Sequence, residues 1–314
     1  MQVSPERLKE SGIADSSYKN YLVRLNRLRA VVGDDRDWTW IMAHPLESIA
    51  AIKREISTNP SSIVNYIVPI CKLFTLYPRL QKVYGDAYLK WQNYLKHYRN
   101  SEQETVKRSQ FSEKQKKNLV EWQEVSDKYC ELKEKQDLNF ETHQFWLLLS
   151  LLLNMNAKRA DLGNIQVFER DPKRVDINYL VLEPKMILVL NKYKTARVRG
   201  AIQEPIQEKL EADIRFSLNR YPREFLIVSL REREPYLKNN SYSQYVKREF
   251  MKHFGKSMGV GLWRIVYISA TVDFNETPFN ELERGAHFKG HSLAQEFLAY
   301  RKVAGVARAG ESKC

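Results

Sequence analysis

Five side chains stand out by type and position: Arg159, Lys194, Arg264, His291 and Tyr300. A tyrosine hydroxyl becomes a covalent nucleophile once a base or nearby cations help remove a proton that ordinarily leaves near ~10. Two guanidiniums can hold the oxygens of an anion bidentately and stay charged throughout. A lysine can protonate a leaving group, and a histidine can donate or accept near neutral pH. Each residue also has a plainer explanation. An arginine at a helix end is usually a surface or capping group. A hairpin lysine keeps a sheet edge soluble, and a tyrosine on a short helix packs at the rim of a core.

Order adds what type alone lacks. One arginine follows an apolar stretch in NMNAKRADLGNI, and a lysine ends a β-prone stretch in LNKYKTARVRG. A second arginine opens an apolar helix in LWRIVYIS, and KGHS is followed nine residues after its histidine by the tyrosine of EFLAYRK. In these blocks the chain resembles the tyrosine recombinase (phage integrase) family. The likeness is strongest over 154–165, 186–200, 255–269 and 290–300, and closest in style to recombinases of eukaryotic large DNA viruses and related mobile elements.

The resemblance implies a site-specific DNA recombinase or integrase that cuts and rejoins strands without metal, ATP or cofactor. Tyr300 would attack a backbone phosphate to form a 3′-phosphotyrosine, which keeps the bond energy for rejoining. Arg159 and Arg264 would clamp the non-bridging oxygens. Lys194 would protonate the departing 5′ oxygen, and His291 would donate to the phosphate or take the tyrosine proton. Double-stranded DNA is the implied partner, with a homo-oligomer, a tetramer on two DNA sites, as the working form. Two other readings stay open: type IB topoisomerase-like DNA relaxation, and a catalytically degenerate relative that only binds DNA.

The chain departs from the family pattern in three places. Gly261 stands where a histidine usually precedes the second arginine by three residues. Asp161 lies two residues after Arg159 rather than three, which leaves Lys158 as the alternative register. His291 follows Arg264 by 291 − 264 = 27 residues, a longer gap than expected.

The elements that must position these groups read as mainly α with a small antiparallel β-sheet, an α+β class. A helical N-terminal core-binding-like domain is expected over 1–104, a polar linker over 105–117, and a tyrosine-recombinase-like catalytic domain over 118–314. In the first domain, helices are expected over 16–33, 46–57, 63–76 (capped by Ser61-Ser62) and 84–99. The aromatics of 84–98 read as helix packing rather than base stacking. Strands are expected over 165–168, 175–182 and 186–193, the last two joined by a turn at Glu183-Pro184-Lys185. Helices are expected over 118–133, 140–154, 205–219, 242–254, 262–272 and 292–299.

Composition fits this picture. The 314 residues carry 51 Lys and Arg against 38 Asp and Glu, a net charge of +13. That excess points to a polyanionic partner. Lys19, Arg24, Arg27, Arg29, Lys90, Lys96 and Arg99 are candidate phosphate contacts on the N-terminal helices, so two lobes could close on a duplex. No apolar run reaches the ~18 residues of a membrane span. The charged N-terminus lacks a leader's apolar core, so an intracellular protein is expected. No Cys-x-x-Cys pair and no Gly-x-x-x-x-Gly-Lys-Ser/Thr loop occurs. His287 and His291 lack an evident third ligand, so no metal is expected.

Overall fold

Three prolines of the first hundred residues mark where helices begin. In a computed structural model describing residues 3–33, 35–107, 111–135, 137–156, 160–236, 239–274, 276–289 and 293, the chain divides into two units, Met1–Arg108 and Ser109–Cys314. The first unit has a 3-10 helix, Pro5–Ser11, and then α1 (Asp15–Val32), α2 (Trp38–Ala43), α3 (Pro45–Glu55), α4 (Pro60–Leu76), α5 (Pro78–Val83) and α6 (Gly85–Lys107). Pro45, Pro60 and Pro78 each open a helix, where a missing N–H costs nothing. The cap of α4 is Asn59, which accepts from the Ser62 N–H at 3.3 Å. The helix therefore starts at Pro60, ahead of the expected serine cap.

The aromatics of α6 pack within their own unit. Trp91 is fully buried and donates its indole N–H to the Met42 carbonyl at 3.0 Å, and Tyr98 is buried beside it in the same core. Lys19, Arg27, Lys90, Lys96 and Arg99 are exposed, whereas the Arg29 guanidinium lies over the Trp38 ring at 5.8 Å.

The polar stretch expected as a linker is partly helical. α6 continues to Lys107, and α7 (Glu113–Lys117) follows. Ser112 accepts from the Gln115 N–H while Gln115 accepts from the Ser112 N–H, a reciprocal cap that needs no apolar face.

The second unit continues with α8 (Trp122–Lys133) and α9 (Phe140–Asn154). After a 3-10 turn (Ala160–Asn164) come β1 (Gln166–Phe168), β2 (Tyr179–Val181), β3 (Ile187–Leu190), α10 (Ala196–Arg199) and β4 (Ile202–Pro205). The helices α11 (Glu208–Arg220), α12 (Asn239–Phe254), α13 (Val260–Thr271) and α14 (Phe279–Phe288) complete the described elements. α9 is apolar on every side, and each of its residues from His143 to Leu152 is buried. Its one hydroxyl there, Ser150, donates to Asp213 of α11, which also accepts from Tyr129 of α8 at 2.6 Å. A buried carboxylate thus ties three helices together.

The fold is α+β, but the sheet is mixed rather than antiparallel. Its order is β1-β2-β3-β4, with β1 parallel to β2 and the other pairs antiparallel. β4 falls ahead of the helix expected to begin at Pro205. Its inward residues are Ile202 and Glu204, and a buried carboxylate breaks the apolar alternation that marks a strand. α14 was not expected either, and it occupies part of the long interval after Arg264.

His143 on α9 is 3% exposed, and its pKa is lowered to about 4 by burial first and by Arg223 and Arg220 next. Neutral in the fold, this imidazole takes up a proton on unfolding at any pH between that value and the ordinary ~6.5. Stability from this group is therefore lost as pH falls from about 6.5 toward 4. Urea midpoints of the wild type should decline more steeply across that interval than those of His143→Phe. Parallel declines would show that His143 titrates normally in the folded chain.

Candidate active site

Lys194 lies in the turn between β3 and α10, and its position is set by polar clamps rather than by apolar packing. Asn178, 2% exposed at the start of β2, accepts from the N–H groups of Asn191 and Lys192 at 2.9 and 2.7 Å and donates to the Lys192 carbonyl at 2.8 Å. Asn191 in turn donates to the carbonyls of Arg174 and Ile177. On the far side of the turn the Tyr193 hydroxyl donates to the Gly200 carbonyl at 2.8 Å. Lys194 itself is exposed. The sequence carries no distinctive signal for this clamp beyond an asparagine beside a β-prone run, and the clamp was missed there.

Arg264 is held differently. Its neighbour Trp263 donates its indole N–H to the Leu152 carbonyl of α9 at 3.1 Å and stacks on Trp122 at 5.5 Å. With α13 fixed in this way, Arg264 is carried into the interior at 1% exposure. Its Nη2 donates to the Lys289 carbonyl at 2.9 Å. Lys289 is the C-cap of α14, so a permanent cation meets the negative end of a helix. The bond also ties α13 to the main chain two positions before His291. One turn ahead of Arg264, Gly261 is exposed, and a Cβ built there meets nothing within 4 Å.

Arg159, its register alternative Lys158, His291 and Tyr300 lie outside the described residues, as does the helix expected over 292–299 apart from Leu293. The structure therefore gives positions for Lys194 and Arg264 of the five, and among the described residues no hydrogen bond or ion pair joins those two. Four residues after Arg159, Gly163 admits no side chain: a Cβ there would approach Tyr242 Cβ to 2.7 Å. The backbone of this turn is further held by the Tyr236 N–H, which donates to the Gly163 carbonyl at 2.8 Å.

A cavity of about 490 Å³ opens where α9 ends, bordered by Asn156, Glu204, Tyr267, Arg284 and Phe288. Asn156 spans it by donating to the Glu204 carboxylate at 2.8 Å. No group of three or more His, Cys, Asp or Glu among the described residues is placed to hold a metal ion. No described helix is long and apolar enough to cross a membrane.

No family model matches the chain, and no curated protein matches it in sequence. Among solved structures, the crystal structure of XerA recombinase aligns over 94% of this chain and 91% of that chain, with a TM-score of 0.40 and 12% identity. Similarity at that level places the chain in no family.

Two substitutions separate the clamps from open surface. Asn178→Ala removes the acceptor of the partly buried Asn191 and Lys192 N–H groups and should lower unfolding free energy by about 1 kcal/mol or more. Gly261→Ala replaces a glycine that faces open space in the first turn of α13 and should raise it by less than the roughly 0.5–1 kcal/mol of a helix interior. Chemical denaturation measures both, and a destabilised Gly261→Ala would mean that the position is crowded.

Proposed function

We propose that this chain is a site-specific DNA recombinase of the tyrosine type. The Tyr300 oxygen attacks a backbone phosphorus, the Tyr O–P bond forms, and the P–O5′ bond breaks. The phenolic proton passes to a base, with His291 as the candidate, and Lys194 gives a proton to the leaving 5′ oxygen. Arg159 and Arg264 neutralise the charge that builds on the non-bridging oxygens. Rejoining is the reverse, with a 5′ hydroxyl attacking the phosphotyrosine. The substrate is double-stranded DNA, which a chain of net charge +13 would attract at low salt.

One observation carries this reading. Arg264, the second arginine of the ordered set, is a buried permanent cation whose guanidinium reaches the main chain just before Gly290-His291. A merely solubilising arginine would stand in water. Exposure suits Lys194, since a general acid delivered to a duplex must leave the protein surface. The observation favouring a second reading, a relative that binds DNA without cutting it, is Gly261, which supplies no phosphate contact.

A nicked suicide duplex that traps the covalent intermediate tests both. The wild type should form an adduct and Tyr300→Phe none. Arg264→Lys keeps the charge but loses the planar fork. It should cut about 10²–10³-fold more slowly while duplex affinity changes little. Binding without an adduct in the wild type would establish the non-cutting reading, and an adduct in Tyr300→Phe would show that another residue is the nucleophile.

A further inference from the structure

A second cavity, about 310 Å³, lies among α8, α9 and α11, and neither Lys194 nor Arg264 borders it. That volume is at the small end of ligand pockets, roughly 300–1,000 Å³. Its walls are aromatic. Trp146 and Phe216 meet edge to face at 5.8 Å, and His143 packs against both at 5.1 and 5.7 Å. Phe216 is 56% exposed, although it is a large ring with apolar neighbours to pack on.

The border is cationic, formed by Lys133, Lys135 and Arg220. Among the described residues, the ion pairs of two of these are with acids at the surface: Lys135 with Glu131, and Arg220, which also lies over the Tyr221 ring at 6.0 Å, with Asp137 at 3.5 Å, whose side chain is 96% exposed. Solvated pairs of this kind are weak, so each cation can exchange its acid for a ligand. The carboxylate in the lining, Asp213, already accepts from Tyr129 and Ser150 and faces the Lys133 ammonium at 3.6 Å. His143 is neutral near pH 7 and serves as part of the wall.

We propose that this cavity binds a small planar aromatic molecule carrying an anionic group, its ring against Trp146 and Phe216 and its acid toward Lys133, Lys135 and Arg220. The site is independent of the strand-cleavage chemistry and would stand if that reading failed. Rings packed on aromatic walls supply the affinity, and the cations select the acid.

The probe is 8-anilinonaphthalene-1-sulfonate, titrated by fluorescence into the folded full chain, with uncharged N-phenyl-1-naphthylamine as its counterpart. One-to-one saturable binding of the sulfonate is expected, with the uncharged molecule at least about tenfold weaker. Phe216→Ala should weaken the sulfonate about tenfold. The pair Lys135→Ala and Arg220→Ala should weaken it about fivefold at low salt and less at high salt. These side chains are surface groups, and an unchanged circular dichroism spectrum confirms the fold of each variant. Absent saturation, equal binding of the uncharged molecule, or unaltered affinity in the variants would each overturn the proposal.

Discussion

A guanidinium that cannot lose its charge is costly to remove from water, so a buried one must be met by hydrogen bonding and oriented dipoles. Arg264 at 1% exposure imposes that requirement on the second unit. Part of the answer is the Lys289 carbonyl at the C-terminus of α14, where acceptor and helix dipole act together. The arrangement needs α13 fixed in rotation, and this is what Trp263 does by spanning to α9 while stacking on Trp122. A rotation of one residue about α13 would exchange an aromatic anchor for a cation. The packing of the core and the placement of the charge are one constraint.

Polar side chains elsewhere in this unit do for irregular backbone what apolar periodicity does for helices. Asn178 grips the chain leaving β3, and Asp213 joins α8, α9 and α11. Gln144 accepts from the Val228 N–H at 2.9 Å and donates to its carbonyl at 2.8 Å, holding a segment with no regular structure of its own against α9. Asn178 and Gln144 are buried polar groups whose partners are backbone atoms distant in sequence, so removing either leaves main-chain groups unmet, whereas Asp213 is met by the hydroxyls of Tyr129 and Ser150. The turn bearing Lys194 is accordingly held to its neighbours while its lysine stays in water.

This division explains what could be read from the sequence. α9 was legible because a long apolar run bounded by Asn139 admits little else, and the β2–β3 hairpin because two β-prone runs flank a proline turn. β4 was not, since its inward Glu204 looks like a surface residue until Asn156 is seen to meet it. The parallel pairing of β1 was equally hidden, because strand direction depends on a connection without periodicity. At the site, residue types and order singled out Lys194 and Arg264. The Asn178 clamp and the Lys289 carbonyl were invisible, because backbone acceptors leave no mark on residue identity and a lone asparagine has many uses.

Gly261 is where these lines of reasoning meet. The site tolerates a side chain there, since a Cβ would enter open space, so packing does not account for the glycine. Helix propensity does not account for it either, because glycine is disfavoured relative to alanine, by about 0.5–1 kcal/mol in a helix interior and less in a first turn such as this. The residue also stands one turn before Arg264, on the same side of α13. Without a side chain there, the exposed first turn of α13 is left open to whatever approaches from solvent. In the strand-cleavage reading the approaching group is a phosphate, and one donor fewer from the protein means that the two arginines and Lys194 carry more of its charge.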